Sequence, residues 1–182
     1  DNIKHLDYGS GDESFVKFLI KKGISSSSYD EFYPNANKKP IQNKKFNLIT
    51  LWHSLEHIHN LDKLFFQLDN LLEKNGKVIL AVPNFNAPER KYFNNNWKAY
   101  DFPRHLYHFD ASSLDRLLEI KGFRVLARKR MILDTIYISL LSKNHNIGYM
   151  KLFYIIIKSI VEVIIKGPAF SSSLLYICEK NN

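Results

Sequence analysis

The sequence predicts an α/β protein built on a mostly parallel sheet that is flanked by helices. Apolar runs of strand length alternate with segments of helical period, and this alternation is typical of a parallel sheet. Residues 46–52 are almost continuously apolar, as expected of a strand that helices cover on both faces. The first strand runs into the turn Gly9-Ser10-Gly11. Glycines at this point of an α/β fold allow a bound ligand to approach the backbone closely.

The N-terminal half predicts three strands and two helices. A strand over residues 3–8 precedes an amphipathic helix that ends at Gly23, and a second strand ends near Tyr29-Asp30. The strand over residues 46–52 is followed by an amphipathic helix, which we expect to end at Asn75-Gly76 because Asn-Gly is a typical helix stop.

The C-terminal half begins with a strand over residues 78–82 and continues into a long irregular segment over residues 83–110. This segment is rich in aromatic residues, which argues against disorder and favours a binding loop. A helix then ends at Lys121-Gly122, a strand covers residues 123–127, and a last strand covers residues 174–178.

The acids around the glycine turn indicate a cationic ligand. A dinucleotide-binding turn needs a third glycine, but Ser14 stands at that position. Asp7, Asp12 and Glu13 would repel a pyrophosphate at close range. S-adenosylmethionine carries a sulfonium and an ammonium group but no phosphate, so its charge matches this turn. A nicotinamide-dependent oxidoreductase is therefore the disfavoured alternative.

Four segments resemble class I S-adenosylmethionine-dependent methyltransferases in order and spacing. Residues 6–15 (LDYGSGDESF) resemble the first motif of that family, and residues 52–57 (WHSLEH) resemble its W-H-x-L-E-H segment. Residues 81–84 (AVPN) and 103–109 (PRHLYHF) resemble motifs of one bacterial branch. The resemblance covers most of residues 3–130. It implies a Rossmann-like methyltransferase fold with an antiparallel last strand, and S-adenosylmethionine as the cofactor.

The sequence departs from the family pattern between its second and fourth strands. Few residues separate Pro34 from Phe46, so we expect a shortened sheet edge, and the usual acid that contacts adenine is not identifiable. Gln42 and Asn43 are the substitutes that the sequence offers. Glu13 also stands where the family often has glycine. These departures make a non-catalytic binding module the competing interpretation.

The resemblance implies that the cofactor is bound by the glycine turn and by the ends of two other strands. An acid at the end of the second strand can accept hydrogen bonds from both ribose hydroxyls, and Asp30 is placed to do so. The alternative is that Asp30 only caps the turn over residues 32–35. The predicted cofactor-binding residues are Asp7, Tyr8, Gly9, Ser10, Gly11, Asp30, Glu31, Trp52 and His53.

Histidines and one arginine are the candidates for the acceptor side. A histidine can act as general base near neutral pH, and Arg104 can hold an anionic group or tie its loop to a carboxylate. The alternative is a structural role, in which these side chains bond neighbouring loops. The predicted catalytic residues are His53, His57, Arg104 and His105.

No metal is predicted from the sequence. Ubiquinone-type O-methyltransferases have a similar Glu-x-x-Glu-His segment that can involve a divalent metal, but here His53 replaces the first acid. His105 and His108 have the spacing of a metal-binding pair, yet two ligands alone do not make a site.

Composition predicts a single domain over residues 1–182 in a reducing compartment. The net charge of +8 arises from lysines scattered along the chain, which is more typical of a solvated surface than of nucleic-acid binding. The single cysteine, Cys178, fits the cytoplasm, and no signal peptide is visible. The abrupt start in a strand suggests that an N-terminal part is missing.

The segment over residues 150–166 predicts an amphipathic helix. Lys158, Glu162 and Lys166 form a narrow polar stripe on an otherwise apolar helix, which is too short and too charged to span a membrane. We favour a helix packed on the body, under the acceptor site or at a homodimer interface, with a small-molecule acceptor. The alternative is an interfacial helix on an anionic membrane, with a lipid-linked acceptor.

Overall fold

The computed structural model describes residues 3–34, 41 and 44–181, and within them six strands form one mixed sheet. The strands are β1 (Lys4–Tyr8), β2 (Ser25–Tyr29), β3 (Phe46–Trp52), β4 (Leu72–Pro83), β5 (Phe123–Lys129) and β6 (Ser173–Lys180). The helices are α1 (Ser14–Lys21), α2 (Leu61–Leu71), α3 (Arg90–Phe93), α4 (Ala111–Ile120), α5 (Ile132–Ser142) and α6 (Tyr149–Lys166).

The sheet has the order β2-β1-β3-β4-β6-β5. Strands β1 to β4 pair in parallel, whereas β6 runs antiparallel to both β4 and β5. The predicted α/β class with an antiparallel last strand is confirmed. Because β1, β2 and β3 are parallel, their carboxyl ends, and the loops that follow them, lie at one edge of the sheet.

The main core lies between the sheet and its helices. Leu6 and Ile49 in the central strands are completely buried, as are Leu114 and Leu118 of α4. Cys178 of β6 is also completely buried and free, and burial raises its pKa to about 12, so it packs as a small apolar residue.

The boundary between α2 and β4 differs from the prediction. The helix ends at Leu71, one turn before the predicted stop at Asn75-Gly76, and β4 begins at Leu72 rather than at residue 78. Leu72 adopts an extended backbone and pairs with Phe46 of β3. Pairing with the sheet therefore ends this helix before the local stop signal is reached.

Helix α5 has no counterpart among the predicted elements. It buries its small polar residues Thr135 and Ser139, while Leu133 is 80% exposed. This arrangement inverts the usual amphipathic pattern, so hydrophobic periodicity could not reveal the buried face. Its partner α6 does have a conventional inner face, which buries Leu152 and Ile155.

The segment over residues 83–110 is ordered by packing on α6. Phe93 and Trp97 form a second core cluster with Leu152 and Ile155 of that helix. No helix in the described ranges is both long and apolar enough to cross a membrane. The candidate adenine contacts Gln42 and Asn43 lie outside the described residues.

Candidate cofactor and acceptor site

The glycine turn after β1 has a backbone that other residues adopt only with strain. Gly9 and Gly11 have φ angles of +82° and +51°. A Cβ atom on Gly9 would lie 2.5 Å from the Cβ of Ser54, a separation that real side chains do not tolerate. Glu13 also has a positive φ of 64°, which explains the preference for glycine at this position.

Two cavities meet at this turn, and Gly9 and Gly11 line both of them. The smaller one is bounded by Asp7, Phe15 and Trp52. The larger one, of about 680 Å³, extends from Asp30 to His57. A ligand that crosses the glycine turn would therefore place one end in each cavity.

Asp7 supplies a buried negative charge to the smaller cavity. Asp7 is 3% exposed. Burial raises the pKa of Asp7 to about 6, with a further rise from the charge of Asp30 and an opposing effect from a hydrogen bond donated by Thr50. The Thr50 hydroxyl lies 2.6 Å from Oδ1 of Asp7. At neutral pH the carboxylate is ionised, and it suits a ligand ammonium group.

Behind Asp7 lies a buried hydrogen-bond chain that the sequence reasoning missed. Nε2 of His5 lies 2.8 Å from the Thr50 hydroxyl, and Nδ1 of His5 bonds the hydroxyl of Ser26. Because the Thr50 hydroxyl donates to Asp7, the ring of His5 must donate through Nε2. Burial lowers the pKa of His5 to about 4, so the ring is neutral. The presence of two polar residues, His5 and Thr50, inside otherwise apolar strands was the sequence signal that could have indicated this hydrogen-bond chain.

Two polar atoms beside the smaller cavity lack a hydrogen-bond partner in the described part of the chain. The hydroxyl of Ser10 and the indole Nε1 of Trp52 are buried, and neither finds a hydrogen-bond partner among the described residues. Together with Asp7, they present two donors and one acceptor. This is the set that a ligand's carboxylate and ammonium groups require.

Asp30 lies at the end of β2 and lines the larger cavity. Its Oδ2 accepts a hydrogen bond from the Gly11 amide at 2.9 Å, and its Oδ1 accepts bonds from the amides of Phe32 and Tyr33. Asp30 therefore caps the turn that follows β2 and also ties β2 to the glycine turn. A carboxylate has about four acceptor sites, so capacity remains for a ribose hydroxyl. Glu31 is exposed at the same cavity wall.

The end of β3 sends consecutive side chains into different cavities. Trp52 packs edge-on against Phe15 beside the smaller cavity, while His53 lines the larger one. His53 has a left-handed φ of 49°. Burial lowers the pKa of His53, but the nearby Glu56 carboxylate outweighs this effect, so the net pKa is raised.

The structure places His57 against His105, and Arg104 lines the same larger cavity as His57. The rings of His57 and His105 lie 4.7 Å apart, and each donates its Nδ1 hydrogen to a backbone carbonyl. His57 lines the larger cavity, whereas the His105 side chain is only 8% exposed. Nε of Arg104 lies 3.3 Å from a carboxylate oxygen of Asp101, so this side chain ties its own loop.

An acid near the end of the first strand, two left-handed glycines in the turn that follows and a second acid after the neighbouring strand are arranged as in Rossmann-like S-adenosylmethionine-dependent methyltransferases. A family model described as a methyltransferase domain matches residues 1–128. The chain belongs to this methyltransferase family. A search of curated protein sequences found no match.

Solved structures with the same fold agree with the family. A SAM-dependent methyltransferase from Archaeoglobus fulgidus is 17% identical, with a TM-score of 0.58 over 98% of this chain and 88% of that chain. An S-adenosylmethionine-dependent methyltransferase from Mesorhizobium loti is 12% identical, with a TM-score of 0.57 over 97% and 90%. A mycolic acid cyclopropane synthase, complexed with SAH and CTAB, is 12% identical, with a TM-score of 0.61 over 98% and 78%.

The cofactor of this chain is S-adenosylmethionine, as predicted. The described residues fit it, because Gly9 has room only for a bare backbone and the unpartnered atoms of Ser10 and Trp52 lie beside the ionisable Asp7. The individual contacts assigned to each residue stay predictions.

Proposed function

We propose that this chain transfers the methyl group of S-adenosylmethionine to an acceptor that enters the larger cavity beside His53 and His57. The observation that carries this proposal is the pair of cavities that meet over Gly9 and Gly11. The smaller cavity suits the amino-acid end of the cofactor. The larger cavity has room for both the nucleoside end, next to Asp30, and an acceptor next to the histidines.

The protein's contribution to this chemistry is mainly positional. The cofactor supplies an electrophilic methyl group, and the chain must hold the acceptor in line with the bond that breaks. His53 is the group that we assign to proton removal from a hydroxyl acceptor. Nδ1 of His53 lies 3.6 Å from Oε1 of Glu56, which favours the protonated imidazole that forms after the transfer.

Binding and turnover separate this proposal from a non-catalytic binding module. Calorimetry should detect binding of both S-adenosylmethionine and its demethylated product, and methyl-labelled cofactor should label an acceptor fraction. At saturating cofactor, His53→Ala should reduce methyl transfer about 100-fold or more if the histidine is the base. Failure to bind either ligand at submillimolar concentration would refute the cofactor assignment for this chain. Binding without any labelling would favour the binding module.

For the acceptor, we propose a lipid-linked molecule presented at an anionic membrane surface. Helices α5 and α6 pack against each other, and both leave large apolar side chains exposed, among them Leu133 (80%), Met150 (84%) and Ile165 (76%). Exposed lysines of α6, including Lys151 and Lys158, add positive charge to this surface. Apolar side chains flanked by lysines are typical of interfacial helices on anionic lipid.

The packing of α6 links this surface to the site. The inner face of α6 packs against Phe93 and Trp97 of the loop that also carries Arg104 and His105. A membrane beneath α6 would therefore lie near the acceptor side of the cavity. The fold is compatible with such acceptors, since one similarly folded protein is a mycolic acid cyclopropane synthase.

Vesicle co-sedimentation tests the membrane proposal. The chain should sediment with phosphatidylglycerol vesicles and remain in solution with phosphatidylcholine vesicles. Ile165→Glu should abolish sedimentation, whereas Phe66→Glu, at a 69% exposed apolar residue on α2, should not. Equal sedimentation of both variants would contradict the assignment to α6. A concentration-dependent dimer that Ile165→Glu dissociates, without lipid binding, would instead favour a homodimer interface.

A further inference from the structure

We propose that Glu56, His57 and His105 form a binding site for one divalent transition-metal ion beside the cofactor cavity. Glu56 and His57 lie in a short 3₁₀ turn after β3, and His105 lies in the loop over residues 83–110. One potential ligand atom from each residue lies within 4.8 Å of the other two.

The Glu56 carboxylate is the first reason for this assignment. The residue is 0% exposed, and in the part of the chain that the structure describes neither carboxylate oxygen has a hydrogen-bond partner. Oε1 lies 3.6 Å from Nδ1 of His53 and 3.8 Å from Nε2 of His105, which is beyond hydrogen-bonding distance. Buried carboxylates are normally hydrogen-bonded, paired or bound to metal, and Glu56 has histidine rings only at long ion-pair distance, so its oxygens keep lone pairs that a metal ion could use.

The two histidines are oriented as metal ligands usually are. Nδ1 of His57 donates to the carbonyl of Arg104 at 2.9 Å, and Nδ1 of His105 donates to the carbonyl of Ala99 at 2.9 Å. A carbonyl oxygen can only accept, so both Nδ1 atoms carry the hydrogen and both Nε2 atoms keep a free lone pair. A hydrogen bond from the outer ring nitrogen to a backbone carbonyl is the usual support for a ligating imidazole.

Two imidazoles and one carboxylate favour zinc, cobalt or a similar ion over magnesium and calcium, which prefer oxygen ligands. In the tetrahedral geometry that zinc prefers, ligand atoms bound at about 2.0–2.2 Å lie about 3.4 Å apart. The observed spacing of up to 4.8 Å therefore closes with side-chain shifts of less than about 1 Å.

The position of the cluster indicates a role toward the acceptor. His57 lines the larger cavity, so an ion held by these three ligands would have its remaining coordination position toward that cavity. An oxygen of the acceptor bound there would be polarised and would lose its proton more easily. This role rests on the proposed function, whereas metal binding itself does not.

Cobalt titration of the chelator-treated full chain tests the site. CoCl₂ should bind with a stoichiometry of one. Binding is measured by calorimetry and by the visible absorption of cobalt in a nitrogen- and oxygen-ligated site. His57→Ala and His105→Ala should each weaken binding by about 10–100-fold or more. His145→Ala, at an exposed histidine outside the cluster, should leave cobalt affinity unchanged.

A wild-type chain that binds no stoichiometric cobalt would overturn the proposal, as would a His57→Ala variant that binds cobalt as tightly as the wild type. His57 is only partly buried, so its removal tests the site even if the buried His105 cannot be replaced without unfolding. Titration with the demethylated cofactor in parallel separates the two proposals. A wild-type chain that does not bind the demethylated cofactor would count against the proposed function. Cobalt binding reports on the metal site alone.

Discussion

Acidification from pH 7 to pH 5 should weaken binding of the demethylated cofactor, S-adenosylhomocysteine, because it protonates Asp7. This carboxyl is 3% exposed, and burial raises its pKa to about 6. The ammonium group of the ligand gains from an ionised carboxylate and gains little from a neutral one. The affinity should therefore follow the ionised fraction of Asp7.

The magnitude follows from that pKa. With a pKa of about 6, Asp7 is about nine-tenths ionised at pH 7 and about one-tenth ionised at pH 5. If only the ionised form binds, the dissociation constant rises about tenfold, which corresponds to about 1.4 kcal/mol.

Folding stability should respond in the opposite direction. The folded pKa is raised above the ordinary value of 3.8, so the folded chain binds this proton more tightly than the unfolded chain does. The stabilising effect of this group is full below pH 3.8 and is lost as the pH rises to about 6. Protonation of Asp7 at pH 5 stabilises the folded chain relative to the unfolded chain. Weaker binding at pH 5 therefore cannot be explained by unfolding caused by this protonation.

Calorimetric titration of S-adenosylhomocysteine between pH 5 and pH 7 measures the effect. Asp7→Asn keeps an acceptor for the Thr50 hydroxyl and should lose most of the pH dependence. Asp12→Asn is the matched control, because hydrogen bonds from Ser14 lower the pKa of Asp12 and keep it ionised over this range. His53 also titrates near the cavity, and its contribution should persist in both variants. If the affinity of Asp7→Asn for S-adenosylhomocysteine changed with pH as much as that of the wild type, Asp7 would not be the group responsible.

Three further predictions concern the turn, the ribose acid and the core. Gly9→Ala places a Cβ atom 2.5 Å from the Cβ of Ser54, so it should abolish cofactor binding in calorimetry, whereas Gly11→Ala, with open space around it, should weaken binding less. Equal losses of affinity in the two variants would show that backbone strain, and not the contact with Ser54, causes the loss. Asp30→Ala should weaken S-adenosylhomocysteine binding by about 1–3 kcal/mol, and unchanged affinity would count against a ribose contact. Leu118→Ala should lower the free energy of unfolding in urea by about 2–5 kcal/mol, because Leu118 is completely buried; a loss below about 1 kcal/mol would contradict its place in the core.

Local sequence signals predicted most of the fold and the identity of the cofactor. The strand into Gly9, the helix after it and the strand over residues 46–52 were all found, because turn residues and periodicity act over a few positions. The prediction for the end of α2 was wrong, since pairing of Leu72 with Phe46 outweighed a local Asn-Gly signal. Helix α5 escaped prediction because its inner face carries Thr135 and Ser139.

On the acceptor side, contacts between side chains of different loops could not be predicted from the sequence. The spacing of His105 and His108 indicated a pair within one loop, but the structure places His105 against His57 and Glu56 from another loop. His53, His57, Arg104 and His105 stay predicted catalytic residues. Membrane contact, the homodimer and the single-domain boundary over residues 1–182 also stay predictions.

The sequence by itself determined the fold class, the cofactor and the acids that surround the glycine turn, because charge and backbone freedom are properties of neighbouring residues. Only the tertiary structure decided how those acids behave. The pKa of Asp7 depends on burial and on Thr50 from another strand, and the unpartnered carboxylate of Glu56 depends on which loop folds over it. Desolvation and contacts between distant segments exist only after the chain has packed, so no local pattern records them.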